Sequence, residues 1–169
     1  MTSLVKQLET AVIAAMKLAV GDSAQVIGFR QSVAEGLVKS QNSDGRPEVI
    51  VAVNPATSEN YSSPIIGFEV AVSVRLEWAD DPTITAFDEV AALVERQLIQ
   101  WNCRTNIEAM SAALSTQNFG CGGFRLGGGN DTVEVETRPF IATNMNFSVK
   151  GVYIEDDETE TNTNPNQEA

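Results

Sequence analysis

Residues 67–78, GFEVAVSVRLEW, alternate without a break. Phe68, Val70, Val72, Val74, Leu76 and Trp78 fall on one side; Glu69, Ala71, Ser73, Arg75 and Glu77 fall on the other. Only an extended chain puts every second side chain on one face, and a strand so patterned has a dry face and a wet one. The fold must therefore supply a cover for one side of a sheet and leave the other to solvent or to a partner.

The cover follows in the chain. Ile84, Phe87, Ala91, Val94, Leu98 and Trp101 recur at spacings of 3, 4, 3, 4 and 3, with Glu89, Glu95, Arg96, Gln97 and Gln100 on the opposite side. This predicts a helix over 83–101 with one apolar stripe. Asp81 with Pro82 offers one N-terminal cap, and Thr85 with Asp88 a competing capping box. An earlier helix is predicted over 3–19 from Leu4, Leu8, Val12, Ala15 and Ala19, widened by Val5, Ala11 and Met16, with Ser3 as cap and Gly21-Asp22 as stop. Residues 22–46 read either as a helix through Val26, Phe29, Val33 and Leu37 or as a short helix and a loop, because Gly28 and Gly36 weaken the pattern. QNSDGRP is a turn, EVIVAVN (48–54) a short strand, and 54–64 a polar loop. Thr105 and Glu108 predict a capped helix through Ile107, Met110 and Leu114; TVEVETR (132–138) and FSVKGVYIE (147–155) read as strands.

These elements predict an α+β fold of two layers, a mainly antiparallel β-sheet of about four strands with helices packed on one face. A chain of 169 residues suits one domain, expected over 1–155, and 43% hydrophobic residues suffice for a core. Residues 156–169 are expected to form a disordered acidic C-terminal tail, since they carry no apolar side chain beyond alanine.

Charge narrows the function classes. The formal net charge is -12, and residues 155–169 hold six acids and no base. The remaining body, 17 acidic against 11 basic, stays at -6 and carries no general basic footprint for nucleic acid or anionic lipid. With no histidine, Ser-His-Asp and Cys-His catalysis are excluded. Cys103 and Cys121, eighteen positions apart, make neither a Cys-x-x-Cys pair nor a zinc set. No apolar run is long enough to span a membrane, and the expected compartment is a reducing cytoplasm with two free thiols.

Chemical sites are weakly signalled. Residues 118–131, NFGCGGFRLGGGND, hold six glycines in fourteen residues but lack the Lys-Ser/Thr ending of a phosphate loop, and a strand rather than a helix follows. The segment reads as a flexible hairpin or surface loop. Asp80, Asp81 and Asp88 suit a helix start better than a metal. Glu134 and Glu136, about 6.5 Å apart on a strand face, match glycosidase spacing, as any acidic alternating strand would. Trp78, Trp101, Phe87 and Phe147 fall at core positions. A ligand pocket would have to gather around Arg75, Glu134 and Arg138. No catalytic, cofactor-binding or metal-binding residue is assigned, and no cofactor is implied.

The layout resembles the tail-terminator proteins of long-tailed bacteriophages: a leading helix, PEVIVAVN, the strand GFEVAVSVRLEW, the helix ITAFDEVAALVERQLIQW, a glycine-rich connection, and the closing strand FSVKGVYIEDDE. The resemblance spans residues 4 to 156. The helix-like piece at 105–116, the GCGGFRLGGG segment and the acidic tail depart from it. It implies a non-enzymatic virion protein of the tail or neck, present in host cytoplasm during assembly. Such a protein self-associates into a hexameric ring, caps the tail tube protein and joins the neck or head connector. The alternatives are a neighbouring neck or head-completion protein of the same particle, and a small ligand-binding or enzymatic α+β domain. Tyr61, Ile65, Ile66, Phe119 and Phe124 are expected to be exposed for ring contacts. If strands 67–78 and 132–138 lie side by side, Glu69, Glu77, Glu134 and Glu136 outnumber Arg75 and Arg138 on the wet face and would line a channel for transient, non-sticking DNA passage.

Overall fold

The computed structural model describes residues 2–38, 45–55, 57–58, 65–77, 84–134 and 140–156. The chain opens with α1 (Leu4–Val20), where the Ser3 hydroxyl accepts from the Lys6 amide at 3.3 Å and Gly21, at φ 55°, ends the helix as expected. The ambiguous block that follows is β1 (Gln25–Gly28) running directly into α2 (Phe29–Val38). Then come β2 (Glu48–Val53), β3 (Thr57–Ser58), β4 (Ile65–Glu77), α3 (Thr85–Asn102), α4 (Ile107–Leu114), β5 (Phe119–Glu134) and β6 (Phe140–Tyr153).

The sheet has six strands among the described residues, in the order β1-β2-β4-β6-β5, with β3 also on β4. Every pairing is antiparallel except β1 with β2. The α+β, two-layer expectation holds, with β1 and β3 enlarging the sheet beyond four strands. Phe68, Val70, Val72, Val74 and Leu76 are buried beneath the helices, together with Leu8, Val12 and Met16 of α1 and Phe87, Val90, Val94, Leu98 and Trp101 of α3. Trp101, Phe124 and Phe147 form an aromatic knot, the two phenylalanines stacked at 4.9 Å between centroids. Trp78, Asp81 and Pro82 lie outside the described residues.

Two local expectations are corrected. Thr85 is the first residue of α3 rather than its cap; Ile84 takes the cap position in the left-handed region at φ 53° with no side-chain cap bond. A β-branched residue there carries about 1–2 kcal/mol of strain, offset by packing of Ile84 against the core. Thr105 caps nothing: Asn106 precedes α4, and the Thr105 hydroxyl lies 3.1 Å from the Cys103 thiol.

The largest correction is the glycine-rich segment. It is not a loop but the body of β5, one long arm of an antiparallel hairpin, paired with β6 along its length. Two bulges, between Cys121 and Gly123 and between Leu126 and Gly129, each insert one residue into β5. The glycines permit a close approach: a Cβ at Gly129 would strike the Asn144 carbonyl, and one at Gly151 would strike the Gly120 carbonyl and the Phe119 ring. Asparagines steady the bulged region. Asn146 Nδ2 donates to the Gly128 carbonyl at 3.1 Å, and Asn144, accepting from Ser73 at 2.6 Å, donates to the Asn130 carbonyl at 3.3 Å.

Candidate assembly surface

Residues paired across the sheet point to the same face, so the register assigns every strand position to the helix side or the outer side. Arg75 lies on the outer face with its guanidinium 4.2 Å from the centre of the Phe140 ring. Glu134 is in register with Phe140 at the end of β5, while Glu136 and Arg138 lie outside the described residues. Asp88 sits in the first turn of α3, where a carboxylate meets the helix dipole. Among the described residues, no three or more His, Cys, Asp or Glu side chains are grouped to hold a metal. No described helix is long and apolar enough to cross a membrane.

The acidic-wall expectation fails on topology. β4 and β5 are not neighbours, because β6 lies between them. Among the described side chains, the outer face carries Glu48, Glu69 and Glu77 against Arg75, Arg125 and Lys150. The register also sets the Glu134 position on this face, opposite Phe140, so four acids stand against three bases, an excess of a single charge rather than a wall.

The exposed apolar residues are also redistributed. Phe119 is fully buried, its ring edge-on to Phe68 at 5.2 Å, and Phe124 packs against Trp101. Ile66 is part of the core margin, Ile65 is 40% exposed as expected, and Tyr61 lies outside the described residues. Ile65 instead pairs with Val152, itself 45% exposed, in an apolar patch on the outer face. Ile154, 44% exposed, leans with Val152 over Gly120, where the missing side chain leaves room. Lys150 and Arg125 border this patch two and four residues along the sheet from Val152 and its neighbours.

Another surface feature is on the helix side, towards the other end of β5 and β6. A groove of about 390 Å³ opens there, lined by Glu95 and Leu98 of α3, Leu126, Asn130 and Asp131 of β5, and Met145 of β6, among others. The Asn102 side chain caps the Leu126 amide on the β5 edge at 3.2 Å; from Gly127 to Val133 that edge strand is exposed. Thr143 donates to Asp131 at 2.6 Å, holding that carboxylate at the groove.

A second feature escapes sequence reasoning. Asn118, only 4% exposed, donates to the Ile154 carbonyl at 3.0 Å and to Asp156 at 2.8 Å, and accepts from Gln7 at 2.9 Å. Gln7 in turn accepts from Thr116. This clasp ties α1 to the strand leaving β6 and orders the chain as far as Asp156. Residues 157–169 lie outside the described residues. The thiols differ sharply: burial pushes Cys121 up to about 11, whereas the hydrogen bond from Thr105 holds the exposed Cys103 below its ordinary value.

No protein-family model matches the chain, and no curated protein matches it. Among solved structures, it is similar to a chain of the "Virion of native gene transfer agent (GTA) particle", with 13% identity and a TM-score of 0.54. The match covers 90% of this chain and 99% of that one. At that identity the likeness is one of fold.

Proposed function

We propose that this protein is a structural component of a phage-like virion. It closes as a ring, most simply of six copies, on the end of the tail tube and presents a surface to the head connector. The observation that carries the reading is the end-to-end fold likeness to a virion chain, which leaves almost none of either chain unmatched. The surface is consistent with it. The prominent features are an apolar patch, an exposed edge strand and an open groove, which suit protein contacts better than chemistry on a small molecule. DNA passage through the ring remains part of the proposal, resting on ring closure and not on wall charge.

Two measurements test it. Light scattering of the purified protein from nanomolar to micromolar is expected to show an assembly of about 109 kDa for six copies of 18.2 kDa. Particles made without the protein are expected to carry tubes of uncontrolled length. Tubes of normal length that fail to join heads would move the assignment to the neighbouring neck or head-completion role. A monomer at every concentration, with no ring on assembled tails, would overturn it.

A further inference from the structure

The two surface features described above differ in place, face and charge. The apolar patch of Ile65, Val152 and Ile154 lies on the outer face, flanked by Lys150 and Arg125, with Glu69 the acid on β4 in the row of Arg125. The groove lies on the helix side, lined by the apolar Leu98, Leu126 and Met145 and by the carboxylates of Glu95 and Asp131, among others. Along β4, Ile65 and the position opposite Thr143, Val74, are nine residues apart, or about 30 Å. A two-fold contact sets one patch against its own copy, whereas two different patches on opposite faces and ends, one bordered by Lys150 and Arg125 and the other by Glu95 and Asp131, call for a head-to-tail contact.

We propose that the occupant of the groove is a second copy of this chain. The Ile65–Val152–Ile154 patch of one copy seats on the Leu98–Leu126–Met145 groove of the next, with Arg125 and Lys150 meeting Glu95 and Asp131. This inference rests on the ring reading and specifies its contact. Apolar burial supplies the attraction, and the charge pairs set register and exclude the reversed pairing. A heterologous contact repeats from copy to copy, and closes into a ring when its rotation divides a full turn. Of the two bulges of β5, the second lies between Leu126 and Gly129, both of which line the groove, and breaks the regular pleat of the edge strand there.

The test uses the full chain carrying Cys103→Ser, so that the exposed native thiol does not react. Val152→Cys and Asp131→Cys are made separately and treated with a short bismaleimide. Each variant alone is expected to stay uncross-linked, and an equimolar mixture is expected to give covalent dimers. In parallel, Glu95→Lys or Arg125→Glu alone should raise the assembly midpoint concentration about tenfold, and the double variant should restore it. Cross-linking of either variant with itself would show a two-fold contact and overturn the proposal. A ring that forms without mixed cross-links, with the charge variants assembling normally, would overturn this contact and leave the ring reading standing. Failure to assemble under any condition would remove both.

Discussion

The six-glycine segment offers the sharpest test of the fold, because a strand and a loop predict opposite patterns of response to the same substitution. Gly129→Ala places a methyl against the Asn144 carbonyl oxygen. That oxygen belongs to β6, which is held on its other side by β4 through the Ser73 hydroxyl bonded to Asn144 at 2.6 Å. The obstacle is backbone in an inner strand and cannot swing aside as a side chain would. Relief requires β5 to lift from β6, and the expected cost is about 1–3 kcal/mol. For a chain of this size that lowers Tm by about 2–12 °C. Gly122→Ala and Gly128→Ala meet nothing within 4 Å, and neither residue has a positive φ. Both should be neutral or stabilising by about 0.4–1 kcal/mol, because alanine restricts the unfolded chain. Thermal and urea unfolding followed by circular dichroism compares the three variants directly. If Gly129→Ala costs no more than Gly128→Ala, the segment behaves as a loop and the β5 register is wrong.

Three further outcomes are expected. Phe87→Ala or Leu98→Ala should cost about 2–5 kcal/mol, because both are buried under α3, while Gln100→Ala should cost under about 0.5; urea midpoints in the reverse order would refute the face of α3. Deleting residues 157–169 keeps Asp156 and its bonds to Asn118 and Gln117, so the midpoint should move by less than about 1 kcal/mol; a larger loss would show that the tail docks. The Cys121 thiol is raised in the fold to about 11 from an ordinary 9.0, so its contribution is fully present below pH 9 and is lost as pH rises towards 11. Cys121→Ala should flatten that part of the stability profile, and an unchanged slope between pH 9 and 11 would refute the assignment.

What could be read from the residues depended on whether a pattern was unbroken. Residues 67–78 and 84–101 carry periods that run without interruption, and both became β4 and α3 within two residues at each end. In β5 the helix-side positions are Phe119, Cys121, Phe124, Leu126, Gly129, Asp131 and Val133, an alternation offset by one residue at each of two bulges. A period of two cannot be followed across such offsets, and glycine, which has no side chain, hides the strand at the positions where close packing most needs it. β1 was hidden for another reason. Four residues are too few to show a period, and its parallel pairing with β2 depends on a partner beyond the next turn.

By itself the sequence determined that a half-dry strand and an amphipathic helix would form a two-layer α+β body, since burying those two stripes against each other is the available way to remove both from water. It also determined that histidine-based chemistry was closed to the chain. Only the tertiary structure decided that β6 enters between β4 and β5, because strand order is set by long-range pairing that leaves no mark on any one segment. That single placement separates Glu69 and Glu77 of β4 from Glu134 of β5. It also buries Phe119 and half-buries Phe124, and it leaves the Ile65–Val152 patch and the α3–β5 groove at opposite ends of the same strands.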